Sequence, residues 1–214
     1  MTIVNEIEVD IQKSTRDRIL EQALILFGES GFSGVSMRDI ADRVGIKAAS
    51  IYNHFSGKDE IFAQLFDEME LRYDKYMDGI MQGEGDQEFF GSITFARLAD
   101  AVEQIFLYFL TDTMAAPFRK MLTIEQNRSS LAANGFRSFL IERPLEYQTE
   151  IFRYLKETGQ LQIGRPELAA LHFYGPIYLL LQKYDNQLEK LPEALEEIRE
   201  HVAQFSVLYH GGRE

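Results

Sequence analysis

Between Lys47 and Lys58 the chain reads AASIYNHFSG, ten residues without an acid in a protein of net charge -12. Ile51 and Phe55, four apart, mark the inner face of a short helix. Lys47, Ser50, Asn53 and His54 then project from the other side, with Tyr52 flanking them and Lys58 just beyond. Such short or hydrogen-bonding groups can enter a DNA major groove or reach phosphates, whereas a merely solvated helix face would more often mix in glutamate. Bond-breaking chemistry has no comparable set: there is no cysteine, no glycine-rich phosphate loop and no His-x-x-x-His pair. Glu197 and His201 sit four apart on a helix and read as a surface ion pair. The expectation is a binding protein rather than an enzyme, with no metal and no cofactor.

The elements that must position these residues lie just upstream. In SMRDIADRVGIKAASIYNHF, Ile40, Ala41 and Val44 form the inner face of one short helix, Gly45 supplies a turn and Ile46 plugs it. Two helices crossing steeply over a tight turn need a small residue at the crossing and a backbone free to take positive φ; Ala41 and Gly45 are placed to supply them. A helix from about Ser14 to Glu29 precedes the pair, with Ile19, Ala23, Leu26 and Phe27 on one face and Gly31 ending it. Ser14 with Asp17, Ser36 with Asp39, and Ser56 with Asp59 each place a serine three residues before an acid, the spacing of a capping box. The predicted module is a three-helix bundle with Lys47 to His54 as the recognition helix, followed by a longer helix from about 57 to 79. From spacing alone, an ordinary helical hairpin in a core remains the alternative.

The fold class is all-α: hairpin turns are few, valine and threonine sparse, and apolar residues recur with helical spacing. Glycines at 79 to 87 mark a loop, and helices are predicted near 94 to 111, 117 to 129, 144 to 158, 166 to 184 and 192 to 209. Pro117, Pro144, Pro166 and Pro192 help to start four of them. Residues 130 to 142 give no clear reading. The predicted organisation is a flexible acidic arm at 1–13, a helix-turn-helix DNA-binding domain at 14–60, and a larger helical body at 61–214. Residues 1–60 carry a balance of -3 and residues 61–214 one of -9, so the larger part should face away from DNA. No secretory signal or apolar run of about 20 residues is present, which reads as a soluble cytoplasmic protein.

TRDRILEQALILFGESGF, then SMRDIADRVGIKAASIYNHF, then SGKDEIF together resemble the TetR family of bacterial ligand-responsive regulators, in detail over residues 14 to 62 and in length and helical layout beyond. The resemblance implies a homodimer with two DNA-reading heads on a palindromic operator, and a body that binds a small effector and is released from DNA by it, as a repressor would be. Carried over by position, the family's phosphate contacts fall on Tyr52, His54 and Lys58, with Ser36 at the start of the scaffold helix. Its base-reading positions fall on Lys47, Ala48, Ala49, Ser50 and Asn53. Ala48 and Ala49 depart from the more usual basic or polar residue and glycine, so a methyl against thymine replaces a hydrogen bond there. Glu6, Glu8 and Asp10 depart from a basic arm, which speaks against an arm in the minor groove.

The segment PELAALHFYGPIYLLLQKYD is apolar almost all round and must be covered on two sides. The resemblance implies that residues 166–184 meet the same helix of a second copy, with residues 192–209 completing a four-helix interface. Pro176 should kink this helix and leave room beside Gly175. The body is rich in phenylalanine and tyrosine, which favours an apolar or aromatic effector, with Phe106, Gln126, Arg128, His172, Tyr174, Tyr178 and Gln182 as candidate contacts. A helical small-molecule-binding protein without DNA activity is the rival reading. In it Tyr52, His54 and Lys58 have no task. A non-specific DNA-coating protein conflicts with the acidity.

Overall fold

The computed structural model describes residues 14–80 and 94–209; the arm at 1–13 and most of the glycine loop lie outside them. The described residues form helices and turns with no strand: α1 Thr15–Gly34, α2 Met37–Val44, α3 Ala48–Ile51, α4 Lys58–Ile80, α5 Phe95–Thr111, α6 Ala115–Glu125, α7 Ser130–Arg137, α8 Arg143–Glu157, α9 Pro166–Lys183 and α10 Leu191–Tyr209. The all-α class is as expected. None of these helices is long and apolar enough to cross a membrane. The described residues pack as two compact units. One runs up to Arg72 and includes Pro117–Ala133; the other takes the described parts of Tyr73–Ala116 and Asn134–Glu214.

In the first unit the helix starts follow from local chemistry. Ser14 and Ser36 each accept from the backbone N–H of the acid three residues on, while Asp17 and Asp39 reach back to the serine N–H groups, so both capping boxes are complete. Hydrogen bonds from Ser36 hold the Asp39 carboxyl below its usual range. The third pair differs from expectation. The Gly57 carbonyl accepts from Ile61 and so takes the cap position, and Glu60 rather than Asp59 accepts from the Ser56 N–H and hydroxyl, both at 2.7 Å. The box is shifted by one residue because Gly57, not Ser56, precedes the first helical residue.

α1 breaks at Gly31, whose φ of 72° and ψ of 161° suit glycine alone. Ile19, Leu20, Ala23, Leu24 and Phe27 are its buried face; Leu26, expected there, is only half-buried. The core continues through Ile40, Ala41, Val44, Ile51, Phe55, Ile61 and Leu65. Phe27, Phe32, Phe62, Phe66 and Phe118 form a run of ring contacts with centroids 4.8 to 5.4 Å apart.

The second unit centres on Phe152 of α8, Phe173 of α9 and Phe205 of α10, at centroid distances of 4.8 to 5.3 Å. Residues 130–142, unassigned from sequence, are α7 followed by a single π-helical stretch, Ser138–Glu142, leading directly into α8. Ser130, Asn134 and Gly135 blur the apolar period there, and the wider i to i+5 pairing is invisible to a 3.6-residue template. α9 runs on through Pro176, and a side chain at Gly175 would meet only open space.

Glu197 pairs with Lys183 rather than with His201. His201 is half-buried on α10, with its Nε2 2.8 Å from the Phe173 carbonyl oxygen and its ring against Phe173. Burial pushes its pKa down, partly offset by that hydrogen bond. Since the unfolded chain then binds the proton more readily, the stability due to neutral His201 is present above about pH 6.5 and lost as pH falls below it. Thermal melts at pH 7.5 and 5.5 should show a smaller acid-induced loss for His201→Gln than for the wild type.

Candidate nucleic-acid interface and ligand cavity

The turn between α2 and α3 is fixed by Gly45, left-handed at φ 78° and ψ 32°, with the N–H groups of Gly45 and Ile46 both donating to the Ala41 carbonyl at 3.0 Å. Arg18 of α1 donates to the last carbonyl of α2, that of Val44, at 2.8 Å. Below α3, Ile51 and Phe55 are at most 1% exposed and anchor it in the core.

α3 is shorter than the predicted Lys47 to His54. Only Ala48–Ile51 are α-helical, and Tyr52 to His54 tighten into i to i+3 pairing, with His54 N–H on the Ile51 carbonyl at 2.8 Å. Lys47 is an N-cap without a side-chain bond, and isoleucine, tyrosine, asparagine and histidine are mediocre helix formers, so nothing local prolongs the helix. Lys47, Ala49, Tyr52, Asn53 and His54 are exposed, Tyr52 at 58%, and Ala48 and Ser50 half-buried. The acid-free run is thus one outward polar surface on a rigid base. Ser36 is exposed, but its hydroxyl is taken up by the Asp39 cap.

Lys58 departs most from expectation. Its ammonium donates to the carbonyls of Phe32 and Val35 and lies 4.2 Å from the Phe32 ring centroid. It thus ties the start of α4 to the segment between α1 and α2. Two of its three donors are held by the protein.

This head is where the chain meets known proteins. Residues 19–65 match the family model described as bacterial regulatory proteins, tetR family. Over these residues the chain is similar to TetR-family regulators. Among relatives of this chain, the negative transcriptional regulator IcaR of a biofilm operon in Staphylococcus epidermidis is 32% identical over 71 residues, 33% of this chain and 37% of that protein. IcaR of Staphylococcus aureus strain Newman is 45% identical over 49 residues, 23% of this chain and 26% of that protein. The chain therefore matches well under half the length of these relatives. In fold, the TetR likeness extends along nearly all of the chain. A TetR-family regulator from Mesorhizobium loti superposes with a TM-score of 0.69 at 18% identity, covering 92% of this chain and 97% of that one. SmeT, solved with triclosan, gives 0.63 at 20% identity, covering 94% of each chain.

The second unit of this TetR-fold chain holds a cavity with an empty volume of about 560 Å³, including its open mouth. It is lined by Tyr73 and Met77 of α4, Val102, Ile105, Phe106 and Phe109 of α5, Pro144, Tyr147 and Gln148 of α8, and Tyr174, Ile177, Tyr178 and Leu181 of α9. Burial raises the Tyr174 pKa far above that of a free phenol and raises that of Tyr73, so both stay neutral. The Tyr174 hydroxyl donates to the Leu140 carbonyl in the π-helical stretch at 2.6 Å.

Of the expected ligand contacts, Phe106, Tyr174 and Tyr178 line this cavity and the others do not. His172 is exposed, with its ring beside Phe205 and Tyr209 of α10 and its Nδ1 2.8 Å from the Tyr209 hydroxyl oxygen. Gln182 is half-buried beside Leu181 in sequence but does not reach the lining. Gln126 and Arg128 belong to the first unit, where Gln126 bonds to the Thr123 carbonyl and Arg128 lies 3.6 Å from Glu125. Gln148 and Tyr147 escape a sequence reading because α8 has a polar, charged composition and nothing local marks which of its polar residues turn inward. Among the described residues no group of three or more potential metal ligands is present.

Proposed function

We propose that this chain is a ligand-responsive transcriptional repressor that binds a palindromic operator as a homodimer and is released by a small apolar or aromatic effector. The observation that carries this reading is the acid-free polar surface from Lys47 to His54, held outward by buried Ile51 and Phe55. Lys47, Ala48, Ala49, Ser50 and Asn53 are assigned to base edges. Tyr52, His54 and the remaining donor of Lys58 are assigned to phosphates, with Ser36 contributing as the cap of α2. The repressor reading is supported by the relatives that are themselves negative regulators.

For the dimer, the support is a stripe of exposed leucines on α9, Leu168, Leu171 and Leu179, together with Val207 and Leu208 on α10. Contiguous apolar surface at helical spacing is a mark of association. An effector in the cavity would touch Tyr73 and Met77 of α4, whose first residue is Lys58. It controls DNA binding only by preferring one placement of the heads over another.

Lys47→Ala tests the base-reading assignment. On a selected operator it should cost about 1 to 3 kcal/mol, with a much smaller loss on a scrambled duplex. An equal loss on both duplexes would make Lys47 a phosphate contact. Absence of binding by the wild type to any duplex would leave a ligand-binding protein without DNA activity.

A further inference from the structure

The cavity's own chemistry narrows what it accepts. None of its lining residues is an acid, a lysine, an arginine or a histidine. One group stands out among the apolar and aromatic walls. Gln148 is 91% buried, and its Oε1 has no hydrogen-bond partner. A buried amide oxygen left unpaired is costly, and leucine or methionine would fill the same space without that cost. The pattern is that of a polar anchor awaiting a ligand group.

Resting on the reading that the cavity takes an effector, we infer that its ligand class is a neutral, largely apolar molecule bearing a hydroxyl group that pairs with the Gln148 side-chain amide. A carboxamide offers an acceptor and a donor side by side, and a hydroxyl both donates and accepts, so it fits either orientation of the amide. A carboxylate finds no cation on the lining. Arg143, next to Pro144, is ion-paired with Asp74 through Nη2 and packed over the Tyr73 ring at 4.7 Å; its Nη1 is buried without a partner, but the residue is not part of the lining.

The test uses the full chain with 2-naphthol, 2-naphthoate and naphthalene as probes, by calorimetry at pH 7. 2-Naphthol should bind at least about tenfold more tightly than 2-naphthoate. Gln148→Leu should weaken 2-naphthol about five- to tenfold, the worth of one buried hydrogen bond, and leave naphthalene unchanged or tighter. Freed of a buried unpaired amide oxygen, Gln148→Leu and the unbranched Gln148→Met should also melt higher than the wild type without ligand. Tightest binding of 2-naphthoate would place an anion on Arg143 and overturn the inference while leaving an effector cavity intact. Undiminished 2-naphthol binding in both Gln148 variants would overturn it too. If none of the probes bound, the effector reading itself would fall, and this inference with it.

Discussion

Leu171→Glu combined with Leu179→Glu is expected to turn the proposed dimer into a monomer and to lower operator affinity by at least about a hundredfold. Both leucines are more than half exposed on one stripe of α9, so neither supports the subunit's own core. In a two-fold interface each substitution counts twice, which would bury four carboxylates without partners, each costing several kcal/mol. A lone head would keep one half-site of base and phosphate contacts, and affinity would fall toward the non-specific level. Sedimentation velocity at micromolar concentration and anisotropy titration on operator DNA read the two effects, with circular dichroism checking that the helices persist. A variant that stayed dimeric would move the interface to another surface.

The second large effect is expected at Gly31. Its backbone lies in a region open to glycine, costing other residues about 1 to 3 kcal/mol. A Cβ there would also stand 2.7 Å from Oε1 of Glu125, a carboxylate only 2% exposed that accepts the Phe32 N–H at 2.9 Å. Moving that carboxylate leaves a part-buried amide unpaired, for about 1 to 3 kcal/mol more. Gly31→Ala should therefore cost about 3 to 5 kcal/mol in urea unfolding, a large share of a typical domain's stability. Gly34→Ala is the control: its Cβ would meet only the Ser30 side chain, at 3.5 Å, and the cost should stay below about 1 kcal/mol. Equal losses at the two positions would contradict the role given to Glu125.

The two cases differ in how much of them could be read from the sequence. Gly31 as the end of α1, Gly45 at the turn and the boxes at Ser14 and Ser36 are local devices, fixed by residues within four positions of one another. The partnership of Gly31 and Phe32 with Glu125 spans more than ninety residues, and no spacing rule reaches that far. Lys58 shows the same limit: the sequence places a lysine beyond a polar face, but only the packed unit brings it onto the Phe32 and Val35 carbonyls. In the body, Phe106, Tyr174 and Tyr178 were legible as aromatic candidates. His172, Gln126 and Arg128 stand out in the sequence only by polarity, which marks surface residues as readily as ligand contacts. Gln148 was hidden because burial of one polar residue on α8 depends on what packs over it.

The central claim is that the surface from Lys47 to His54, presented twice by a dimer, reads a particular DNA sequence. Selection of duplexes from a random pool by the wild-type chain, followed by sequencing, tests it most directly. The expected result is enrichment of an inverted repeat whose half-sites are centred about one turn of B-DNA apart, or slightly more, and loss of preference at one position of each half-site in Lys47→Ala. A pool that emerged unenriched, or one enriched identically by wild type and Lys47→Ala, would contradict it.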